Sequence, residues 1–299
     1  MKISIIPEIL MYKILQKYFG YTSFYPLQED IINEVLGRKD VFVLMPTGSG
    51  KSLCYQLPAL LFDGLTVVIS PLIALMKDQV DGLLADGIPA TFINSSLSYN
   101  EIEARRRSLS NNEVKILYIA PERLMMPEFS RFLQGLKVSL FAIDESHCIS
   151  EWGHDFRPEY RQLNVLKEKF PGVPVMALTA TATPVVQEDI IIQLKLSGCR
   201  IFKASFNRGN LYYQIRPKQN PYHQLLQYLE DRKTDSGIIY VITNKPFLVF
   251  CSDFRRQTRM VRQCTVSFCL QARSKAFHGF AALAIDDPGI LLSDIQILE

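Results

Sequence analysis

The chain has 299 residues, of which 48% are hydrophobic and 21% charged, as in an ordinary globular protein of one large or two smaller domains. It contains no apolar run near the roughly 18 residues needed to cross a bilayer, which excludes a membrane-spanning helix. The net charge of +3 permits a nucleic-acid partner but does not by itself indicate one.

The amino terminus and the cysteines favour an intracellular protein. Pro7 and Glu8 interrupt the first apolar run, and no small-residue cleavage site follows, so we expect no signal peptide. The six cysteines are scattered and form no CxxC pair, which is typical of free thiols in a reducing cytosol. We therefore expect a cytoplasmic protein without a membrane partner.

Short apolar runs alternate with amphipathic segments along the first two thirds of the chain. The predicted buried strands are 40–45, 65–70, 114–120, 138–144 and 173–179. Predicted helices lie between them, for example over 70–87, which Gly87 ends, and over 183–196. Five strand–helix repeats predict an α/β fold with a parallel sheet covered by helices, and ligands at the carboxyl ends of its strands.

The rhythm changes near residue 205. Residues 205–221 contain Gly and Pro and indicate a connector, after which 222–233 and 236–241 have the patterns of a helix and a strand. We interpret this part as the start of a second α/β unit.

The stretch "MPTGSGKS", residues 45–52, lies between a predicted strand and a predicted helix. Gly48 and Gly50 allow the backbone amides to turn around an anion, and the helix amino terminus adds partial positive charge. In such a loop Lys51 would reach the β- and γ-phosphates and Ser52 would hold Mg²⁺. A plain glycine-rich turn is the alternative. The predicted nucleotide ligands here are Thr47, Gly48, Ser49, Gly50, Lys51 and Ser52.

Two adjacent acids follow the fourth predicted strand. An ATPase with this loop needs one acid to hold Mg²⁺ and a base to orient the attacking water, and Asp144 and Glu145 suit these two roles. An isolated Asp-Glu pair more often begins a helix. The phosphate loop makes the catalytic interpretation the stronger one.

These motifs together resemble those of a known family. The stretches "MPTGSGKS", "DESH" (144–147) and "ALTATAT" (177–183) resemble motifs of superfamily 2 helicases. The stretches "SPLIALMKDQV" (70–80), "YIAPERL" (118–124) and "CISEWGHDFRPEY" (148–160) resemble the RecQ family of DNA helicases in particular. The resemblance covers about residues 7–240 and implies a RecA-like first motor lobe that uses ATP and Mg²⁺.

The stretch "FGYTSFYPLQ" (19–28) resembles the motif with which that family grips adenine. The resemblance places Gln28 on the adenine edge and Tyr21 on the face of the base. Tyr25 stands where the family usually has Arg, so one nucleotide contact differs. The alternatives are core packing for Tyr21 and a solvated helix position for Gln28.

The resemblance also explains the aromatic stretch after the two acids. In RecQ proteins the matching segment senses single-stranded DNA and relays the contact to the ATP site, which implies DNA contacts for Trp152, Phe156 and Arg157. These residue types can stack on bases or meet a phosphate without reading sequence. His147, beside the catalytic acids, would link them to this loop. A lone Trp is otherwise more often a core residue.

Four further residues are assigned mainly through the resemblance. Thr179 and Thr181 would couple the ATP site to movement of a second lobe, although a plain turn also suits them. Lys77 and Arg123, near predicted helix starts, would contact DNA phosphates. The basic stretch "EARRRS" (103–108) is explained by a solvated helix face.

The resemblance ends near Tyr240. The later motifs of the family, including its arginine finger, have no match in 241–299, where we find no clear strand–helix alternation. A basic run with Arg255, Arg259 and Arg262 there is interpreted as part of a poorly packed or unstructured tail. We predict a helicase domain over 1–205, a linker and the start of a second RecA-like lobe over 206–240, and a divergent tail over 241–299. A frame shift, an altered splice or a truncated gene model would produce such a tail.

The main hypothesis is a RecQ-type ATP-dependent DNA helicase that moves 3′ to 5′, acts in recombination and repair, and is truncated before its second motor domain. Its partners would be single-stranded or partly duplex DNA, in the nucleoid of a bacterium or the nucleus of a eukaryote. An arginine finger contributes roughly 10³–10⁵ in rate, so the alternative is a non-catalytic fragment that binds ATP and DNA without unwinding. A small-molecule P-loop kinase explains neither "DESH" nor the aromatic loop.

Overall fold

The structure is a computed structural model that describes residues 8–153, 155–207, 211–212, 214–215, 217, 219–230, 237–241, 264–269 and 280–285. The chain divides into two compact units, Met1–Leu211 and Tyr212–Glu299. None of the described helices is both long and apolar enough to cross a membrane.

The first unit contains a parallel sheet of seven strands. Their order across the sheet is β3-β4-β2-β5-β6-β1-β7, and each neighbouring pair is parallel. The strands are β1 Val41–Leu44, β2 Leu65–Ile69, β3 Ala90–Ile93, β4 Ile116–Ile119, β5 Val138–Ile143, β6 Val175–Thr179 and β7 Arg200–Lys203. Because β5, β6 and β1 are adjacent, the segments that follow them meet at one edge of the sheet.

Helices connect the strands and cover the sheet. They are α1 Glu8–Phe19, α2 Gln28–Leu36, α3 Leu53–Leu61, α4 Ile73–Ala85, α5 Tyr99–Ser110, α6 Pro121–Met125, α7 Pro127–Gln134, α8 Pro158–Arg161, α9 Leu166–Lys169 and α10 Pro184–Gln193. Two 3₁₀ turns lie at Ser146–Ile149 and Gln162–Val165. The predicted α/β fold with a helix-covered parallel sheet is therefore confirmed.

The core lies on both faces of the sheet because successive strand residues point to opposite sides. In β1, Phe42 and Leu44 join one buried cluster, while Val41 and Val43 join the other. All residues of β1, β2, β4, β5 and β6 are buried, as expected for strands covered on two faces.

Two strands of this sheet were not predicted, and both lie at its edges. In β7 only Phe202 is buried, and in β3 the two central residues are half-buried. An edge strand needs no continuous apolar run, so the pattern that identifies central strands is absent there. The five predicted strands are therefore all present, and the two strands that the prediction missed are the least buried ones of the sheet.

The second unit contains a described helix and three described strands: α11 Pro221–Glu230, β8 Gly237–Val241, β9 Cys264–Cys269 and β10 Phe280–Ile285. The predicted helix over 222–233 and strand over 236–241 correspond to α11 and β8. The strands pair antiparallel in the order β8-β10-β9.

The described strands β9 and β10 lie within the segment 241–299, whose assignment as a divergent tail stays a prediction. Arg255, Arg259 and Arg262 lie outside the described residues.

Candidate nucleotide and nucleic-acid site

The loop Met45–Ser52 joins the end of β1 to the start of α3, as predicted. Gly48 and Gly50 have φ angles of 79° and 76°, a left-handed conformation that glycine adopts without steric cost. Ser52 is the amino-terminal cap of α3, and its carbonyl accepts from the amides of Tyr55 and Gln56 at 3.2 and 3.0 Å. The loop therefore brings the positive end of a nine-residue helix to the carboxyl edge of the sheet.

The loop is held by its own polar groups. The Lys51 ammonium donates to the carbonyls of Met45 and Pro46 at 3.0 and 3.2 Å, and the Ser49 hydroxyl donates to the Pro46 carbonyl at 2.5 Å. At the start of the loop, the Met45 amide donates to the Thr179 carbonyl at 3.1 Å. The Lys51 side chain thus reaches from the end of the loop back to its first two residues, over the space that a phosphate-binding loop encloses.

Gln28, at the start of α2, contacts this loop directly. Its side-chain amide donates to the carbonyls of Gly50 and Ser49 at 3.0 and 3.3 Å, and its Oε1 accepts from the Tyr25 amide at 2.8 Å. Only 2% of Gln28 is exposed, so it is not a solvated helix position. A Cβ added to Gly50 would lie 2.3 Å from Gln28 Nε2, which shows how closely the two residues approach.

A cavity of about 300 Å³ lies beside the loop. Its lining residues are Phe19, Tyr21, Ser23, Tyr25, Gln28, Gly48, Gly50, Ser52, Leu53 and Gln56. Tyr21 and Tyr25 are exposed by 56% and 62%, so both present ring surface at its rim. The structure thus brings the predicted base-binding residues Tyr21 and Gln28 to the phosphate loop, while their contact with adenine stays a prediction.

Gln56 and Tyr25 were not predicted as lining residues. Gln56 lies four residues after Ser52, one turn along α3, and this spacing was the available signal. Tyr25 was noted only as a departure from the family pattern, whereas its ring forms part of the wall.

Asp144 follows the last residue of β5, and its surroundings oppose its negative charge. Burial, followed by the neighbouring Glu145 carboxylate, raises the pKa of Asp144 from its ordinary value to about 6. Lys51 and His147 oppose the rise. A bound cation would stabilise the charged form of this half-buried carboxylate, and the hydroxyl of Ser52 in the loop offers a second oxygen ligand. Ser52 and Asp144 therefore fit a magnesium ion in their chemistry.

Glu145, His147, Thr179 and Thr181 form one polar network across β5 and β6. His147 Nδ1 lies 3.0 Å from Thr179 Oγ1 and 3.3 Å from Glu145 Oε2. The Thr179 hydroxyl accepts from the Thr181 amide and donates to the Thr181 carbonyl, both at 3.2 Å. The predicted catalytic and coupling residues thus touch one another, and His147 connects the acid to the end of the neighbouring strand.

The aromatic loop, residues 150–157, begins directly after the 3₁₀ turn that contains His147. Trp152 is 75% exposed, so it is a surface side chain and not a core residue. Phe156 is half-buried, with the Arg161 guanidinium 5.4 Å from its ring centroid. A side chain at Gly153 would collide with the His147 carbonyl, at 2.5 Å from an added Cβ, so the loop packs tightly on the turn.

Arg157 is held by contacts within the protein. Its guanidinium donates to Asp155 Oδ2 at 3.1 Å and to the Pro71 carbonyl at 3.1 Å, and its amide donates to the Cys148 carbonyl at 2.9 Å. It therefore ties the aromatic loop to the segment that precedes α4. The contact of Arg157 with a DNA phosphate stays a prediction. It requires the guanidinium to exchange one of these hydrogen bonds for one to the phosphate.

The remaining predicted DNA-binding residues lie apart from this network. Lys77 is exposed on α4, and Arg123 is half-buried on α6, where its Nη1 lies 3.2 Å from Met126 Sδ. The basic stretch on α5 is occupied by internal contacts. Arg105 donates to the Phe92 carbonyl, and Arg106 pairs with Glu103 and Glu128 at 2.9 Å each.

A phosphate loop after β1, acids after β5 and a threonine cluster after β6 define a P-loop nucleotide-binding domain of RecA-like architecture. The family described as DEAD/DEAH box helicase matches residues 25–190, which include all of these segments. The chain belongs to the DEAD/DEAH box helicase family.

Curated relatives refine this comparison. The "ATP-dependent DNA helicase RecQ" of Haemophilus influenzae is 49% identical over 237 residues, covering 79% of this chain and 38% of that protein. The protein of the same name in Bacillus subtilis is 47% identical over 234 residues, covering 78% and 40%. The "RecQ-like DNA helicase BLM" of Xenopus laevis is 45% identical, covering 78% and 18%. This chain spans about two fifths of the length of the bacterial relatives.

Solved structures agree on the fold. The helicase MrfA, in its "DUF1998 helicase" crystal structure, superposes with a TM-score of 0.61 at 17% identity, covering 87% of this chain and 42% of MrfA. A hypothetical ATP-dependent RNA helicase from Sulfolobus tokodaii gives a TM-score of 0.51 at 18% identity, covering 66% and 57%. At such identities the likeness concerns architecture alone.

Proposed function

We propose that this chain is the ATP-binding motor lobe of a RecQ-type DNA helicase, which hydrolyses ATP and moves 3′ to 5′ along DNA in recombination and repair. The observation that carries the proposal is that the polar network of the ATP site and the exposed aromatic loop follow each other directly along the chain. The Glu145–His147–Thr179 network of the ATP site leads within five residues of His147 to the exposed Trp152. The names of the RecQ relatives support DNA as the polymer.

The proposed chemistry assigns one task to each side chain around the loop. Tyr21 and Gln28 hold the base at the cavity rim, and the loop amides with Lys51 bind the phosphates. Glu145 accepts the proton of the attacking water, and His147 holds its carboxylate in place. Mg²⁺, held by Ser52 and Asp144, supplies positive charge at the β- and γ-phosphates when bound.

The proposed DNA contacts are sequence-independent. Trp152 and Phe156 offer ring faces for stacking, while Lys77, Arg123 and Arg157 offer positive charge to phosphates. Such a surface suits single-stranded or partly duplex DNA. A protein with this substrate would work in a bacterial nucleoid or a eukaryotic nucleus.

The test is steady-state ATP hydrolysis by the 1–299 chain with and without single-stranded DNA, with the Lys51→Ala, Glu145→Ala double variant as the blank. Turnover that exceeds the blank and rises with DNA supports the proposal. Nucleotide and DNA binding without turnover would instead favour a non-catalytic ATP- and DNA-binding module.

Polarity and substrate form are tested separately. Partial duplexes with only a 3′ or only a 5′ single-stranded tail are offered with ATP and Mg²⁺, and strand separation is followed by gel. Unwinding of the 3′-tailed substrate alone supports the 3′ to 5′ direction, and unwinding of the 5′-tailed one contradicts it.

A further inference from the structure

Glu145 has a backbone conformation that needs external support. Its φ and ψ are 48° and 44°, in the left-handed region, which is unfavourable for a residue with a side chain. Such a conformation persists only where surrounding contacts fix it. The contacts around the Asp144–Glu145 peptide therefore decide where the Glu145 carboxylate points.

Three of these contacts are local or come from the sheet. The Asp144 amide donates to the Ile69 carbonyl at 2.8 Å, the Glu145 amide donates to Asp144 Oδ1 at 3.0 Å, and the Cys148 amide donates to the Glu145 carbonyl at 2.9 Å. None of them extends into the aromatic loop.

A fourth contact comes from α8, the short helix that directly follows that loop. The Tyr160 hydroxyl donates to the Asp144 carbonyl at 3.2 Å. Tyr160 lies in α8, three residues after Arg157, and is fully buried.

The aromatic loop is thus fastened at both ends to the catalytic segment. Its first residues continue from the His147 turn. At its other end the Arg157 amide donates to the Cys148 carbonyl, and in the following helix α8 the Tyr160 hydroxyl donates to the Asp144 carbonyl. A displacement of the exposed Trp152 that moves α8 must stretch the Tyr160–Asp144 hydrogen bond. This geometry gives a physical route between the loop and the carboxylate.

We propose that Tyr160 is a positioning residue whose hydroxyl fixes the Asp144–Glu145 peptide and makes the aromatic loop and the nucleotide site respond to each other. The inference rests on the proposed nucleotide site. It does not require that the 1–299 chain complete a catalytic cycle.

The test uses Trp152, which is the single tryptophan of the chain, as an intrinsic reporter. Trp152 fluorescence and its acrylamide quenching are measured as Mg²⁺ and the slowly hydrolysed analogue ATPγS are added. A fluorescent nucleotide analogue measures affinity in parallel. The wild type should show a saturable change, and Tyr160→Phe should lose most of this change. Its nucleotide affinity should be unchanged.

Tyr12→Phe is the matched control, because the Tyr12 hydroxyl donates to Glu29 at 3.0 Å on the α1–α2 side of the domain. It should respond like the wild type. If the chain turns over ATP, Tyr160→Phe should also lower kcat with DNA while leaving KM for ATP unchanged, which a general loss of stability would not produce.

The outcomes separate the two proposals. A Tyr160→Phe variant that binds nucleotide and responds like the wild type overturns this inference alone, as does a wild type that binds nucleotide without any Trp152 response. A wild type that binds no nucleotide overturns the proposed function, and this inference with it.

Discussion

The nucleotide site and the proposed DNA face at the carboxyl edge are built in opposite ways. At the phosphate loop Gln28 is buried and Lys51 is half-buried, and both are already held by contacts, Gln28 with the Gly50 carbonyl and Lys51 with the Met45 carbonyl. On the proposed DNA face, Trp152 and Lys77 are exposed. Chemistry at a phosphate requires groups fixed in advance, whereas a polymer that slides requires surfaces that tolerate many bases.

Arg157 shares features of both. It lies on the proposed DNA face, but its guanidinium is held as firmly as a catalytic group, by Asp155 and Pro71. The comparison therefore predicts that variants of the nucleotide site change rates and nucleotide binding, while variants of the proposed DNA face change DNA affinity alone.

The largest effect is expected for Lys51→Ala, which removes the cation of the phosphate loop. Loss of one preorganised charge-stabilising group typically lowers kcat by roughly 10²–10³. DNA affinity without nucleotide should be unchanged. Steady-state ATP hydrolysis and a DNA-binding titration measure the two quantities, and Lys17→Ala on α1 is the matched lysine control. A Lys51→Ala variant that hydrolyses ATP at the wild-type rate would contradict the assignment of residues 45–52 as the phosphate-binding loop.

Trp152→Ala should weaken single-stranded DNA binding and leave nucleotide affinity intact. A stacked base contributes about 1–3 kcal/mol, so the dissociation constant should rise about 5- to 150-fold. Fluorescence anisotropy of a labelled oligonucleotide measures this change. Arg106→Gln is the control on α5, where internal ion pairs occupy the charge, and it should have little effect. A larger loss of DNA affinity in Arg106→Gln than in Trp152→Ala would contradict the assignment of the aromatic loop as the DNA contact.

Gly50→Ala should lower nucleotide affinity by about tenfold, or about 1.4 kcal/mol, because the new Cβ displaces Gln28. Gly87→Ala is a close control, since Gly87 has the same φ of 76° but has no heavy atom within 4 Å of an added Cβ. Both variants carry the backbone strain, so both should lose thermal stability. Only Gly50→Ala should lose nucleotide binding in a titration, and equal losses would show that Gln28 is not involved.

The last effect concerns stability rather than function, and it is a pH dependence that comes from Asp144. Its pKa is raised to about 6 in the folded protein, so the folded state binds the proton more tightly than the unfolded chain. The free energy of unfolding therefore falls as pH rises between the two pKa values, and the full penalty is present above about pH 6.

Asp144→Asn should accordingly stabilise the metal-free protein by up to about 3 kcal/mol near pH 8, and this gain should shrink towards zero near pH 4. Denaturant unfolding of variant and wild type at several pH values measures the difference. A gain that is constant with pH would contradict the raised pKa.

The sequence predicted the fold where burial is continuous. Strands such as β5 are apolar along their whole length, whereas β3 and β7 lie at the edges and lack that signature. The loop of residues 45–52 and the acids 144 and 145 were identified because their spacing follows from phosphate and metal chemistry.

What the sequence left open depends on distances across the fold. It did not indicate that Gln28 touches Gly50, that Arg157 reaches Pro71, or that Tyr160 reaches Asp144, 16 residues away. It also suggested that the α5 arginines are merely solvated, while the structure gives Arg105 and Arg106 partners on neighbouring elements. Contacts between residues that are far apart in the chain leave no local pattern in the amino-acid sequence.

The hydrogen bond from the Met45 amide to the Thr179 carbonyl joins the first residue of the phosphate loop to the end of β6 through main-chain atoms alone. Most side-chain replacements keep the backbone amide and carbonyl, so they do not remove this hydrogen bond. Proline at position 45 is the exception, because it has no amide hydrogen to donate. Met45 is buried in the core, so the informative comparison is between Met45→Leu, which keeps an apolar side chain and should leave the junction intact, and Met45→Pro, which should uncouple the loop from β6.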